Sequence, residues 1–150
     1  MKLAEALIMR ADLQTRLEQL RQRLVNNARV QEGESPAEDP MELLKEARAV
    51  ADQLESLIGR INLTNARVTV EGKTLTELLA RREVLTQRVS LMHSLLESAS
   101  STVMRGSRNE VKILSAVDVK SLRKQADDLA RELRTLDTAI QSRNWLEDLQ

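Results

Sequence analysis

Apolar residues recur along this chain in alternating steps of three and four, and they do so in four separate stretches. The first runs Leu3, Ala6, Arg10, Leu13, Leu17, Leu20, Leu24 and Asn27, a spacing that puts every member on one face of a helix. It predicts a helix over about residues 3–28, roughly 40 Å long at 1.5 Å per residue, with Asp12 and Arg16 spaced for an ion pair on its flank. The second seam is Leu43, Ala47, Val50, Leu54, Leu57 and Ile61. It predicts a helix over about residues 40–64, with Gly59 inside it as a small residue where another helix approaches closely. The third, Leu75, Leu78, Arg82, Leu85, Val89, Met92, Leu96 and Ala99, opens at about Leu75. The fourth, Val119, Leu122, Ala126, Leu129, Leu133, Leu136 and Ile140, runs to about Leu146.

The breaks between seams carry their own signals. Residues 31–40 hold both prolines, one glycine and four acids. At their end Asp39 is placed as an N-cap, Pro40 as the first helical residue and Glu42 as the third, a capping-box arrangement. The acids also face the positive end of the second helix. Val68–Lys73 alternates apolar and polar residues and then turns, which predicts a short extended segment. Thr74-Leu75-Thr76-Glu77 is a second capping box. The helical period is lost over 100–117, where Val111–Leu114 reads as a second short strand, a candidate partner for Val68–Val70 within the chain or across a protomer interface. Asp118 is a good N-cap for the fourth helix. The predicted fold is all-α: a single domain, 1–150, of four long amphipathic helices in a bundle, with at most a minor two-stranded β element. The first two helices are expected to form one antiparallel hairpin and the last two another.

Composition agrees with that picture and narrows the function. The chain is 41% hydrophobic and 31% charged, with no Phe, no Tyr and one Trp, Trp145. Leu and Ala therefore carry the core, a palette suited to helix-on-helix packing and not to a β-sandwich. Basic and acidic residues balance at 23 each, without the basic surplus of a nucleic-acid binder. Cysteine is absent, which excludes disulfides, thiol catalysis and cysteine-ligated metals. Glu5 and Arg10 interrupt the first apolar run before it can form a signal-peptide core. The longest strictly apolar run, Ala6–Met9, is far short of a membrane span. These features predict a cytoplasmic protein.

No catalytic grouping stands out. His93 is the sole histidine, and Ser90 stands where a Glu-x-x-His metal motif needs its glutamate, so His93 is expected at the core edge or on the surface. Asp127 and Asp128 are adjacent, point about 100° apart on a helix, and are expected to pair with Arg131. There is no Gly-rich phosphate loop and no nucleophile elbow. Arg105, Arg108 and Lys112 form a modest basic patch, partly offset by Glu110, with no aromatic residues to stack on bases. Its expected contact is the acidic 31–39 loop of another subunit, and no nucleic-acid partner is expected. Neither cofactor nor metal is expected.

The seams themselves hold polar residues. Arg10 and Arg82 occupy positions where the pattern asks for an apolar side chain, and a buried arginine is costly unless paired. Each is expected to find a carboxylate such as Glu77 or Asp127, or to sit where the seam meets solvent. Asn62 and Asn65 are candidates for the same network. Such a layer of Arg10, Asn62, Asn65, Glu77, Arg82 and Asp127 either sets helix register or lines a ligand pocket.

Several ordered blocks resemble a known family. They are residues 1–7 (MKLAEAL), 10–14 (RADLQ), 30–34 (VQEGE), 36–40 (PAEDP), 60–65 (RINLTN), 79–82 (LARR), 124–129 (KQADDL) and Asn144-Trp145. Together they are similar to the small bacterial proteins described as septicolysin-like. The resemblance implies a self-associating helical bundle and supplies no catalytic residues. The name implies a pore-forming cytolysin, yet charged residues recur along all four helices, each expensive in hydrocarbon. The leading expectation is a non-catalytic structural or interaction protein forming a homo-oligomer, a dimer or higher, up to a hexamer. Pore formation and ligand binding by the arginine layer are the alternatives.

Overall fold

Each of the four apolar seams folds as a helix. The computed structural model describes residues 1–101 and 112–150. Its elements are α1 (Leu3–Asn26), α2 (Pro40–Arg67), β1 (Thr69–Val70), β2 (Lys73–Thr74), α3 (Leu75–Ser100) and α4 (Val119–Leu146). The protein is thus all-α with a minor β element. Its residues fall into two compact units, Met1–Thr74 with Gln141–Gln150, and Leu75–Ile140.

In the first unit α1 and α2 pack as an antiparallel hairpin. The end of α1 meets the start of α2 through the Arg23–Glu38 ion pair, and one turn pair further in Arg16 meets Glu46 at 2.7 Å. Arg16 therefore reaches across to the neighbouring helix and not along its own to Asp12, whose i,i+4 pairing would contribute only a few tenths of a kcal/mol. Leu13 and Leu20 from α1, with Leu43, Val50, Leu57 and Ile61 from α2, are sealed from solvent. The seam of α2 continues past the predicted end through Thr64, fully buried, to Val68. Thr64 fits there because its hydroxyl donates to the Arg60 carbonyl at 2.9 Å.

Local chemistry sets the helix ends. Asp39 Oδ1 accepts the Met41 N–H at 2.9 Å, and Pro40 supplies the first helical residue without an N–H to satisfy. Asn27 closes α1 with one side-chain amide: its Nδ2 donates to the Arg23 carbonyl at 2.9 Å and its Oδ1 accepts the Glu38 N–H at 3.0 Å. One residue thus caps the helix and anchors the acidic loop. Within that loop the Glu34 N–H reaches the Gln31 carbonyl at 3.0 Å across Gly33, whose φ is +85°.

β1 and β2 form a two-residue antiparallel hairpin with register Thr69↔Thr74 and Val70↔Lys73. Its turn is Glu71-Gly72, with φ of +50° and +80°, the paired left-handed conformations whose twist suits a tight hairpin. Within the chain, Thr69–Val70 thus pairs with Lys73–Thr74 and not with residues 112–114 of the candidate segment Val111–Leu114. Val111 lies outside the described residues, and residues 112–114 form no strand. A partner two residues away costs almost no loop-closure entropy, whereas a distant one must first be brought in.

Gly59 also departs from expectation. It is exposed, and a Cβ built there would meet nothing within 4 Å, so no helix of its own unit approaches it closely. Gly59→Ala is accordingly expected to stabilise the isolated chain by about 0.5–1 kcal/mol, because glycine in a helix interior forfeits that much to backbone entropy. Thermal unfolding followed by circular dichroism measures it.

The C-terminal residues return to the start of the chain. Lys2 and Asp148 form an antiparallel bridge, with the Leu3 N–H on the Glu147 carbonyl and the Leu149 N–H on the Met1 carbonyl, both at 2.9 Å. Lys2 Nζ adds an ion pair to Asp148 at 3.0 Å. Leu149 is buried, and the Gln150 N–H donates to the Thr64 hydroxyl at 3.1 Å.

In the second unit Asp118 caps α4, its Oδ1 accepting the Ser121 N–H at 3.2 Å. Early α3 is joined to late α4 by Arg81–Glu132 and by Arg82–Asp137 at 2.9 Å, as an antiparallel pair requires. Leu75, Leu78 and Leu85 on α3 and Ala126, Leu136 and Ile140 on α4 are buried.

Candidate functional site

The six polar residues marked by the seam pattern divide between the two units, three in each. In the first unit Arg10 and Asn65 are half-buried while Asn62 is exposed; in the second Arg82 is half-buried while Glu77 and Asp127 are exposed. The physical reason is the helix period. Asn62, Glu77 and Asp127 each lie one residue from a buried seam position (Ile61, Leu78 and Ala126), and one residue turns a side chain by about 100°.

Arg82 settles by leaning out of the seam. Its guanidinium pairs with Asp137, not with the expected Glu77 or Asp127, and it keeps about a third of its side chain in solvent. The aliphatic stem can then cover apolar surface without the full desolvation of a buried charge. Arg10 is different: its Nε is buried and has no hydrogen-bond partner among the described residues. Arg143 Nε shares that state, although the other end of its guanidinium pairs with Glu147.

His93 is on the surface, as is Glu97. Among the described residues no group of three His, Asp or Glu is placed to hold a metal ion. Of the basic patch, Lys112 is exposed, and Arg105 and Arg108 lie outside the described residues.

A charged groove of about 470 Å³ lies between α1 and α2, lined by Arg23, Glu38, Asp39, Glu42, Lys45 and Glu46 among others. Periodicity gave no sign of it, because its walls come from the loop and from the outer edges of two helices. Its charges are largely used up internally. Arg23 holds the Glu38 carboxyl below the usual carboxylate range, and Arg16 takes Glu46.

Outside the groove, hydrogen bonds from Arg21 and then Gln22 lower the Glu18 carboxyl to about 2, and Lys2 lowers that of Asp148. A carboxylate whose pKa is depressed by folding stabilises the fold above its unfolded pKa and loses that contribution as pH falls through the folded value. The urea midpoint is therefore expected to fall between pH 4.5 and about 2. All three groups face solvent, so the decline is shallow. A midpoint that rose in this window would contradict the assignment.

Apolar side chains are the more prominent surface feature. Ile8, Leu63, Leu91, Trp145 and Leu146 are each more than half exposed. Trp145, inside one of the blocks that carry the family resemblance, is 55% exposed.

The same fold is found in the crystal structure of a functionally unknown conserved protein from Corynebacterium diphtheriae. It aligns with a TM-score of 0.94 at 40% sequence identity, covering 100% of this chain and 99% of that one. No curated protein matches. Residues 10–149 match the family of unknown function DUF6847, and over that span the chain belongs to this family.

Proposed function

We propose that the chain is a cytoplasmic structural or interaction protein that assembles with copies of itself and performs no catalysis. The observation that carries this reading is the set of large apolar side chains left outside, Leu91, Trp145 and Leu146 foremost. Trp145 and Leu146 are neighbours in sequence, and apolar side chains grouped on a surface are what a protein partner covers. Size-exclusion chromatography with light scattering tests it: the expected mass is a multiple of 17.0 kDa, and a strict monomer at micromolar concentration sinks the assembly claim. Among the described residues no helix is long and apolar enough to cross a membrane. Pore formation, which the septicolysin-like resemblance implies, is the alternative, and liposomes that retain their dye across pH and lipid composition would remove it.

One observation favours a ligand-binding reading. The buried, unpartnered Nε of Arg10 is a donor that a bound carboxylate or phosphate oxygen would satisfy. A rise in melting temperature with such anions, lost in Arg10→Gln, is the expected result; no rise with either anion removes it.

A further inference from the structure

In the first unit, polar side chains interrupt the apolar seams of α1 and of the end of α4 within about one helical turn of each other. The antiparallel bridge between Lys2 and Asp148 sets the Leu3 N–H on the Glu147 carbonyl, and α1 leaves on the side from which α4 arrives. At 1.5 Å per residue, Arg10 stands about 10 Å beyond the bridge on α1, and Arg143 and Asn144 stand about 5–6 Å beyond it on α4. Helical side chains lean toward the N-terminus of their own helix. That lean carries Arg10 back toward the bridge and Arg143 away from it, so the two converge. Both Nε atoms are buried, and neither has a hydrogen-bond partner among the described residues. Asn144 extends the buried seam of Leu136 and Ile140 by a four-residue step and is 5% exposed. Its side-chain amide bonds to no described residue.

We propose that Arg10, Arg143 and Asn144 together bind the carboxylate of a small organic acid. This rests on the ligand-binding reading of Arg10 above, and it says what completes the site and which anion it takes. A buried donor without an acceptor is destabilising, and three of them on two converging helices answer to one shared acceptor. Charge selects that acceptor. Arg143 is paired with Glu147, and Lys2 with Asp148 at 3.0 Å. Glu5 is exposed and accepts the Lys2 N–H at 2.7 Å. Arg10 has no ion pair among the described residues. One positive charge is therefore left uncompensated, which a singly charged carboxylate neutralises and a doubly charged phosphate exceeds. The Nε and one Nη of a guanidinium present two parallel N–H donors that match the two carboxylate oxygens, the role open to Arg10. Arg143, with one nitrogen on Glu147, adds its Nε, and the Asn144 amide adds an N–H. Enclosure selects the size. Asn144 is buried and both arginines are half-buried, so a small acid fits where an acidic segment of a protein does not.

Titration of the intact wild-type chain with sodium acetate, followed in proton–nitrogen NMR spectra, tests the assignment without any substitution. The Nε–H signals of Arg10 and Arg143 and the side-chain amide signals of Asn144 are expected to move together and to saturate, while sodium chloride at equal ionic strength leaves them in place. If the Arg10 signal moves alone, the shared site is overturned and the reading of Arg10 by itself stands. If none of the three moves with acetate or with inorganic phosphate, both are overturned. Phosphate that binds more tightly than acetate overturns the carboxylate assignment. Asn144→Leu keeps the buried volume and removes the amide, so its acetate affinity is expected to fall about tenfold, as for one hydrogen bond to a charged group. An unchanged affinity in that variant, with helical circular dichroism intact, removes Asn144 from the site; should the variant unfold, the Asn144 signals in the wild-type titration decide.

Discussion

Ile61→Ala is expected to lower the stability of the protein by about 3 kcal/mol, within the range for truncating a fully buried aliphatic side chain. Ile61 is 1% exposed. Its helix is held on one side by the hairpin with α1 and, one turn on, by Thr64, whose hydroxyl bonds the Gln150 backbone at 3.1 Å. A helix fixed in this way has little freedom to collapse into the space left behind, and the cost of a truncation grows with the cavity that remains. Urea denaturation measures it, as a lower midpoint with an unchanged slope. A loss below about 1 kcal/mol would mean that the site relaxes and that the restraint on α2 is overstated.

The second large effect is a contrast between two residues of the same seam. Leu85→Ala is expected to cost about 3 kcal/mol and Leu96→Ala about 1 kcal/mol or less in dilute solution. Both sit on the α3 stripe that faces α4, yet Leu85 is 3% exposed and Leu96 is only half-buried. Urea denaturation of the two variants measures the contrast, and equal penalties would show that α3 packs uniformly along its length.

Periodicity found these two leucines together and could not separate them, which marks where the sequence stops being legible. The helices were readable because three- and four-residue steps, two prolines and the acids Asp39 and Asp118 are local signals, each acting within a turn or so of its own position. What remained hidden depends on partners far along the chain. Thr64 is fully buried although a hydroxyl breaks the apolar pattern, because it bonds back to Arg60 and across to Gln150. Asn27 reads as a flaw in the first seam and is in fact the cap that holds Glu38. The seam pattern marks Arg82 as needing a carboxylate, and it has one. Which aspartate of α4 serves, Asp137 and not Asp127, follows from the register between two helices, and no local pattern encodes that register. For the candidate site the same limit holds: the arginines were visible, their surroundings were not.

The bridge between Lys2 and Asp148 has a consequence for how the protein is made. Residue 2 leaves the ribosome long before residue 148, and at about 5–20 residues per second the interval is many seconds. Through that time α1 has neither the Glu147 carbonyl for its first amide nor Leu149 to cover its base. The first unit therefore cannot finish folding in the order of synthesis. The rest of α1 can pack on α2 as soon as residue 67 has emerged, so it is the first turn of the earliest-translated helix that is completed last.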